Sequence, residues 1–322
     1  ITPCLENGKT ANVKCLADNI VGEGSTEFIV LCGLESADND YIYYLCRDPE
    51  FRKYAINRME GTSGRQRVSW RSVASYKFYC PEAKIRHSNA KILSLLDNRI
   101  TALRETNITL EAIAQVLFKS WFVDFDPVRA KQEGRKPEGM DEVTAALFPD
   151  RFEQSKLGEV PKGWEIKELK DILYLLGGQA FKSKEYISQG IFVLRTNNFK
   201  QGIAIKNDKN VFLPNSFLDS YKNFVCEAYD YHLVMVGASI GNTGMILPHS
   251  LPALRNQNMW CFRPKNKEVT SRLYTKFIVD KTSQELINFA SGSARDFFKR
   301  DDFKNHKLII PPEKILKSYS KI

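Results

Sequence analysis

The sequence predicts an α+β protein: two mixed α/β domains joined by long helices that pair as an antiparallel coiled coil. Three observations predict it. Residues 84–123 hold a 3.5-residue apolar period. Short apolar runs such as YDYHLVMV are followed by Gly-rich turns such as GASIGNTGM, the mark of strands joined by tight connections. The two halves of the 322-residue chain also repeat one order of chemistry.

The helix comes first. With Leu93 at heptad position a, the a positions are Leu93, Ile100, Asn107, Ala114 and Trp121, and the d positions are Leu96, Leu103, Leu110 and Leu117. Asn107 is the single polar side chain on that seam, and one buried amide at a penalises wrong registers. Such a seam predicts packing along its length on another helix. At 1.5 Å per residue, residues 84–123 make about 60 Å of helix. Ile92 and Ile113 at g and Phe118 at e broaden the apolar face, so these three are candidate partner-binding residues. Pro127 ends the helix, and the Gly/Pro/charge mixture of residues 124–160 reads as a connector. The segment GEVPKGWEIKELKDI leads into a second domain, residues 161–311. Residues 1–83 read as the later part of a first domain, and residues 312–322 as the start of a second long helix. Both ends of the chain stop mid-pattern, so a longer parent protein is expected.

The halves correspond at an offset of 230 residues. Lys77, Pro81, Lys84 and Ile85 match Lys307, Pro311, Lys314 and Ile315, while Asn12, Ser63 and Arg65 meet Asn242, Ser293 and Arg295. An internal duplication follows. It makes the C-terminal helix the packing partner of the helix that begins near Lys84.

The opening ENGKTANVK contains Gly8-Lys9-Thr10, the tail of a phosphate-binding loop, but the position five residues before Gly8 is Pro3 rather than glycine. Proline offers no N–H to a phosphate. In the repeat this stretch corresponds to GASIGNTGM, a tight turn between strands. Lys9, Thr10 and Asn12, with Ser239, Asn242 and Thr243, are therefore read as turn residues displayed on a surface. The same polar character recurs in TSGRQRVSW (Ser63, Arg65, Gln66, Arg67, with Trp70 as the anchor to the core) and in SGSARDFFKR (Arg295, Lys299, Arg300). It recurs again in FKSKEY (Lys182, Lys184), LRTNNFKQG (Arg195, Asn197, Asn198, Lys200) and LRNQNMW (Arg255, Asn256, Gln257, Asn258). Arg and Lys suit guanine acceptors, and Asn and Gln pair bidentately with adenine. The same side chains also contact phosphates or simply cover a solvated face.

The bulk numbers agree with a polyanion partner: the net charge is +9, from 47 Lys and Arg against 38 Asp and Glu. Seven cysteines, an odd number without a C-x-x-C pair, point to a reducing compartment rather than to disulfides or zinc. No run reaches the ~18 apolar residues of a membrane helix, so no membrane partner is expected. Catalytic motifs are missing: there is no [DN]-P-P-[YF] run, no G-x-S-x-G and no H-E-x-x-H. The four histidines, His87, His232, His249 and His306, stand singly.

Together ITPCLENGKTA…GEGSTEFIVL, TSGRQRV, LFKSWFVDFDPVRAK and GEVPKGWEIKEL closely resemble the specificity (S) subunit of type I restriction-modification systems. The resemblance spans nearly the whole chain, and LFKSWFVDFDPVRAK is its most specific piece. It implies two target-recognition domains that each read half of an interrupted double-stranded DNA sequence, joined by helices that act as a ruler. It implies no catalytic residue, metal or cofactor in this chain. S-adenosylmethionine, ATP and Mg would belong to partners: two modification (methyltransferase) subunits and the restriction subunits of the full complex. The compartment it implies is a bacterial or archaeal cytoplasm. The rival readings are a coiled-coil scaffold that reads no DNA and, further off, a P-loop or methyltransferase enzyme.

Overall fold

The computed structural model describes residues 5, 8–13, 20–62, 66–200, 202–207, 209–237, 239–290 and 299–321. The chain divides into two compact units, residues 1–110 and 111–322.

The first unit is built mainly of short helices. α1 (Asn39–Arg47) and α2 (Pro49–Ile56) are split by Asp48. Its carboxylate caps α2 by accepting from the N–H groups of Glu50 and Phe51 at 2.9 and 3.1 Å, with Pro49 in the first turn. β1 (Met59–Glu60) and β2 (Arg67–Val68) form a small antiparallel pair. α3 (Trp70–Ala74) follows, its start capped by Ser69, which accepts from Ser72 N at 3.1 Å. Phe51, Ala55, Val68 and Ala90 are the buried apolar residues among those described in this unit. Trp70, expected to anchor its loop there, is instead 63% exposed, because the short α3 turns its first residue outward.

α4 (Ala83–Phe122) is the 40-residue helix foreseen from the heptad. Its polar stripe faces the rest of the first unit. Arg86 forks onto Asp38 at 2.9 and 2.8 Å, His87 meets the same carboxylate at 3.0 Å, and Asp97 accepts from Arg47 at 2.8 Å and Tyr44 at 3.1 Å. Arg86 itself falls at heptad position a, seven residues before Leu93, so the N-terminal end of the seam is polar. Leu93, Leu96, Ile100, Leu103 and Leu110 are exposed, as are Ile92 and Ile113. The expectation of packing along the full seam is met only at its C-terminal end, from Ala114 onward.

In the second unit, Phe125 breaks the helical path in a left-handed conformation (φ 57°) and starts α5 (Asp126–Gln132), with Pro127 in its first turn. α6 (Glu142–Ala146) precedes a hairpin of β3 (Phe152–Ser155) and β4 (Gly158–Pro161). Then come β5 (Glu165–Glu168), α7 (Leu169–Ile172), β6 (Leu173–Leu176), β7 (Ile191–Leu194), β8 (Phe199–Lys200), β9 (Gly202–Ala204) and β10 (Phe212–Leu213). α8 (Phe217–Ser220) leads to β11 (Tyr231–Val234), β12 (Thr243–Met245), β13 (Ala253–Arg255) and β14 (Met259–Pro264). α9 (Arg272–Ala290), α10 (Arg300–Lys304), β15 (Lys307–Ile310) and α11 (Glu313–Tyr319) close the chain.

The larger sheet has six strands in the order β6-β14-β11-β12-β9-β8; a second has the order β10-β7-β13, and β15 pairs with β5. β7, β11 and β13 are buried at every position, so they read as continuous apolar runs rather than as alternation. α9 lies against β11 and β14.

The LFKSWFVDFDPVRAK segment is core. Phe118 packs on Phe277 at 5.2 Å, Trp121 on Phe148 at 5.2 Å, Phe122 on Tyr319 at 5.0 Å and Phe125 on Trp164 at 5.5 Å. Phe118, 5% exposed, therefore cannot face a partner: the apolar area that recommended it is used inside this unit. α11 covers this end of the seam, and Tyr319 donates to the Ala114 carbonyl at 2.9 Å.

The repeat is visible in the helices. α3 begins and ends 230 residues before α10, and α4 begins 230 residues before α11.

Candidate nucleic-acid interface

Strand directions bring four loops to one end of the six-stranded sheet. β11 and β14 are antiparallel, with Val234 opposite Met259, so the loop leaving β11 and the one entering β14 are neighbours. β6 runs antiparallel to β14 and ends at the same side, and β9, parallel to β12, starts there after its turn from β8. Among the described residues, the rim thus collects 177–184, 200 and 202, 235–237 and 239–242, and 256–258.

Main-chain bonds join the loops. Gln179 N donates to Arg255 O at 3.1 Å, and Gln257 N returns to Gln179 O at 2.9 Å. Asn256 N donates to Leu194 O at 2.9 Å, and Met235 N to Asn258 O at 3.1 Å. Gly178 permits the first of these approaches: a Cβ there would lie 1.8 Å from Asn256 O. Gly237 and Gly241, both at φ 83°, supply the left-handed turns of the 235–242 loop.

Of the residues proposed from sequence, Lys182, Lys184, Lys200, Asn242, Gln257 and Asn258 are exposed on or beside this rim, and Asn197 is exposed beside Asn207. Ser239, Thr243 and Asn256 are half-buried there. The three lysines take no part in an ion pair among the described residues. Arg195 is half-buried and its guanidinium donates to Lys209 O. Lys299 is exposed, and Arg300 donates to Leu175 O at 2.6 Å, near the end of β6.

Two residues are corrected. Asn198 is 1% exposed: its side chain accepts from Arg195 N at 2.9 Å and donates to Ile205 O at 3.2 Å, so it shapes the 195–200 turn rather than reading bases. Arg255, also 1% exposed, directs its guanidinium inward to backbone carbonyls. Gln179 was missed, and its signal was the preceding Gly177-Gly178 pair.

In the first unit, Lys9 and Thr10 are exposed around a turn in which Gly8 has φ 63°. Asn12 donates to Asp40 at 3.0 Å, and Arg67 forks onto Glu27 at 2.6 and 2.5 Å, so both are engaged within the chain. Gln66 is half-buried. Ser63, Arg65 and Arg295 lie outside the described residues.

At the opposite end of the sheet, where β11 starts and β14 ends, sits a charged cluster. Asp230, fully buried, takes a fork from Arg263 (2.9 and 2.6 Å) and a bond from Arg272 (2.9 Å). Burial alone would raise the Asp230 carboxyl, but Arg263 and the Glu227 N–H hold it below the usual range. Burial keeps His232 neutral, pushing it down to about 4 against the opposing pull of Asp230. No group of three metal-ligating side chains occurs among the described residues. No helix among them is long and apolar enough to cross a membrane.

This unit matches a family described as the type I restriction modification DNA specificity domain, over residues 161–322. The chain belongs to that family. Among curated proteins, this specificity-family chain is similar to the type I restriction enzyme HindI specificity subunit of Haemophilus influenzae, 25% identical over 98% of this chain and 76% of that one. The MjaIX specificity subunit of Methanocaldococcus jannaschii is 22% identical, over 87% of this chain and 60% of its own length. The EcoAI specificity subunit of Escherichia coli is 25% identical, over 85% and 57%. The chain thus spans about three-fifths of the length of two of these three relatives. Solved structures that it resembles include the HsdS subunit of Thermoanaerobacter tengcongensis (15% identity, TM-score 0.39, 88% of this chain and 61% of that one) and the S subunit of M. genitalium (16%, 0.45, 89% and 66%).

Proposed function

We propose that this chain is the non-catalytic DNA-reading subunit of a type I restriction-modification complex. The observation that carries the reading is the rim where three separate loops bring Lys200, Asn242, Gln257 and Asn258 to one end of the six-stranded sheet. Lysines beside it attract the duplex through a salt-dependent, sequence-independent term. Amide side chains then select bases, at about 1–3 kcal/mol per good bidentate contact. The first unit, with Lys9, Thr10 and Gln66, reads a second half-site, and α4 acts as the ruler that fixes the gap.

Methylation of a flipped adenine belongs to two modification subunits, which hold S-adenosylmethionine. Restriction subunits supply ATP- and Mg-dependent work, and the setting is a bacterial or archaeal cytoplasm. The exposed flank around Ile92 and Ile113 is the dock for a modification subunit. The test is to express the intact parent protein with its modification subunit in a methylation-free host and map N6-methyladenine genome-wide. One motif of two short half-sites at a fixed gap is expected, and a continuous motif would overturn the two-headed reading.

The uncovered seam of Leu93, Leu96, Ile100 and Leu103 favours a second reading, a scaffold that only assembles proteins. A stable complex that shows no methylation and no salt-dependent DNA binding would select it.

A further inference from the structure

Arg255 closes β13 with its side chain fully inside the unit. Its Nε donates to Gly177 O at 2.7 Å, its Nη1 to Val225 O at 3.0 Å and its Nη2 to Asn223 O. No carboxylate stands within ion-pair distance of it among the described residues. A buried cation without a counter-ion is costly, and here three carbonyls offset that cost through charge-assisted bonds. A guanidinium holds its donors in a rigid planar fork wide enough to reach carbonyls from three separate segments, whereas a lysine ammonium is a compact charge with three rotatable donors on a flexible stem.

The geometry of those bonds matters more than their number. The Arg255 side chain holds Gly177 O, while its own carbonyl receives Gln179 N at 3.1 Å. The stretch 177–179 is therefore gripped twice by one residue, and Gln257 N adds a third tie through Gln179 O. Gly178, between the two grips, leaves no room for a side chain against Asn256 O. The 177–184 and 256–258 loops thus move as one body, and that body carries Gln179, Asn256, Gln257 and Asn258.

We infer that Arg255 is a positioning residue for sequence selectivity: it fixes the register between two base-reading loops without touching DNA. This rests on the reading proposed above. Amide side chains discriminate bases only when held within about 0.5 Å of the productive geometry. Phosphate attraction tolerates far more slack. Loosening the clamp therefore removes discrimination and leaves non-specific affinity in place, at the half-site read by this unit alone.

The experiment uses the full complex with its modification subunits and duplexes carrying the motif found by methylation mapping. Affinity is measured for the cognate duplex, for duplexes altered in either half-site and for an unrelated duplex, across a salt series. Arg255→Gln is expected to keep unrelated-duplex affinity and salt slope within about twofold of wild type. Discrimination at one half-site falls at least about tenfold, corresponding to one base contact. The other half-site is unaffected, and Arg255→Lys falls between. Gly178→Ala, which keeps the guanidinium but forces the loops apart, is the second variant should Arg255→Gln not fold, and it is expected to show the same one-sided loss. Wild-type discrimination in a folded variant, or equal loss at both half-sites, overturns the inference. A wild-type complex without sequence preference overturns the DNA-reading proposal itself, and this inference with it.

Discussion

Residues 70–83 and 300–313 carry the same two helix starts in the same register, yet they sit in different surroundings. Phe303 of α10 is fully buried between the rings of Trp260 and Phe262, at 5.4 and 5.6 Å. Its counterpart Val73 in α3 is half-buried. Leu308 is buried in β15, opposite Lys167 of β5. Its counterpart Phe78 lies in no strand and is 42% exposed. The contrast separates two kinds of coding. Short helices with their stops are written locally, so both copies form them. A strand exists only where a partner supplies the other half of its ladder.

The widest gap between the copies is expected on deleting a core ring. Phe303→Ala should cost about 3–5 kcal/mol. Val73→Ala, at the half-buried twin, should cost about 1 kcal/mol. Denaturant unfolding of the full chain measures both, and equal costs would erase the contrast.

Acid should come next and should act on the second unit. The folded chain keeps His232 neutral down to about pH 4, whereas an unfolded histidine takes its proton near 6.5. Stability is then complete above pH 6.5 and is lost as pH falls toward 4, since the unfolded state binds the extra proton. At pH 5 the loss from this group is roughly 2 kcal/mol. Melting midpoints at pH 7.5 and 5 read it, and His232→Gln should flatten the difference; an unchanged slope would remove His232 as its source.

Along α4 the comparison is between covered and uncovered seam. Ile113→Asp should change stability by less than about 0.5 kcal/mol, as an exposed substitution does. It should nevertheless abolish co-purification of the modification subunit, and retained binding would move the dock elsewhere. The smallest effect belongs to the rim. Lys200→Ala should leave folding untouched, weaken binding to all duplexes alike and reduce the salt slope by about 1. A sequence-dependent loss would instead place Lys200 at a base.

The long helix, its break near Pro127 and the Gly-rich turn between β11 and β12 were legible because each rests on local pattern. The rim was legible as a set of polar loops but not as a site. Arg255 and Asn256 are adjacent in a run of similar polar residues, and only the strand ending at Arg255 turns one inward and leaves the next half-exposed. Asn198 misled for the same reason, since an amide that closes a turn looks like one that reads adenine. Phe118 shows the converse error. Heptad position assigned it to a flank, but the bend at Phe125 and the return of α11 enclose that flank within the unit.

The aromatic layout has a practical consequence. The sequence holds four tryptophans. Trp121, Trp164 and Trp260 are each 4–5% exposed in the second unit, while Trp70, in the first, is open to water. The protein therefore carries its own pair of optical reporters. A collisional quencher such as acrylamide should silence Trp70 first, and the residual blue-shifted emission then follows the second unit alone, without any label being attached.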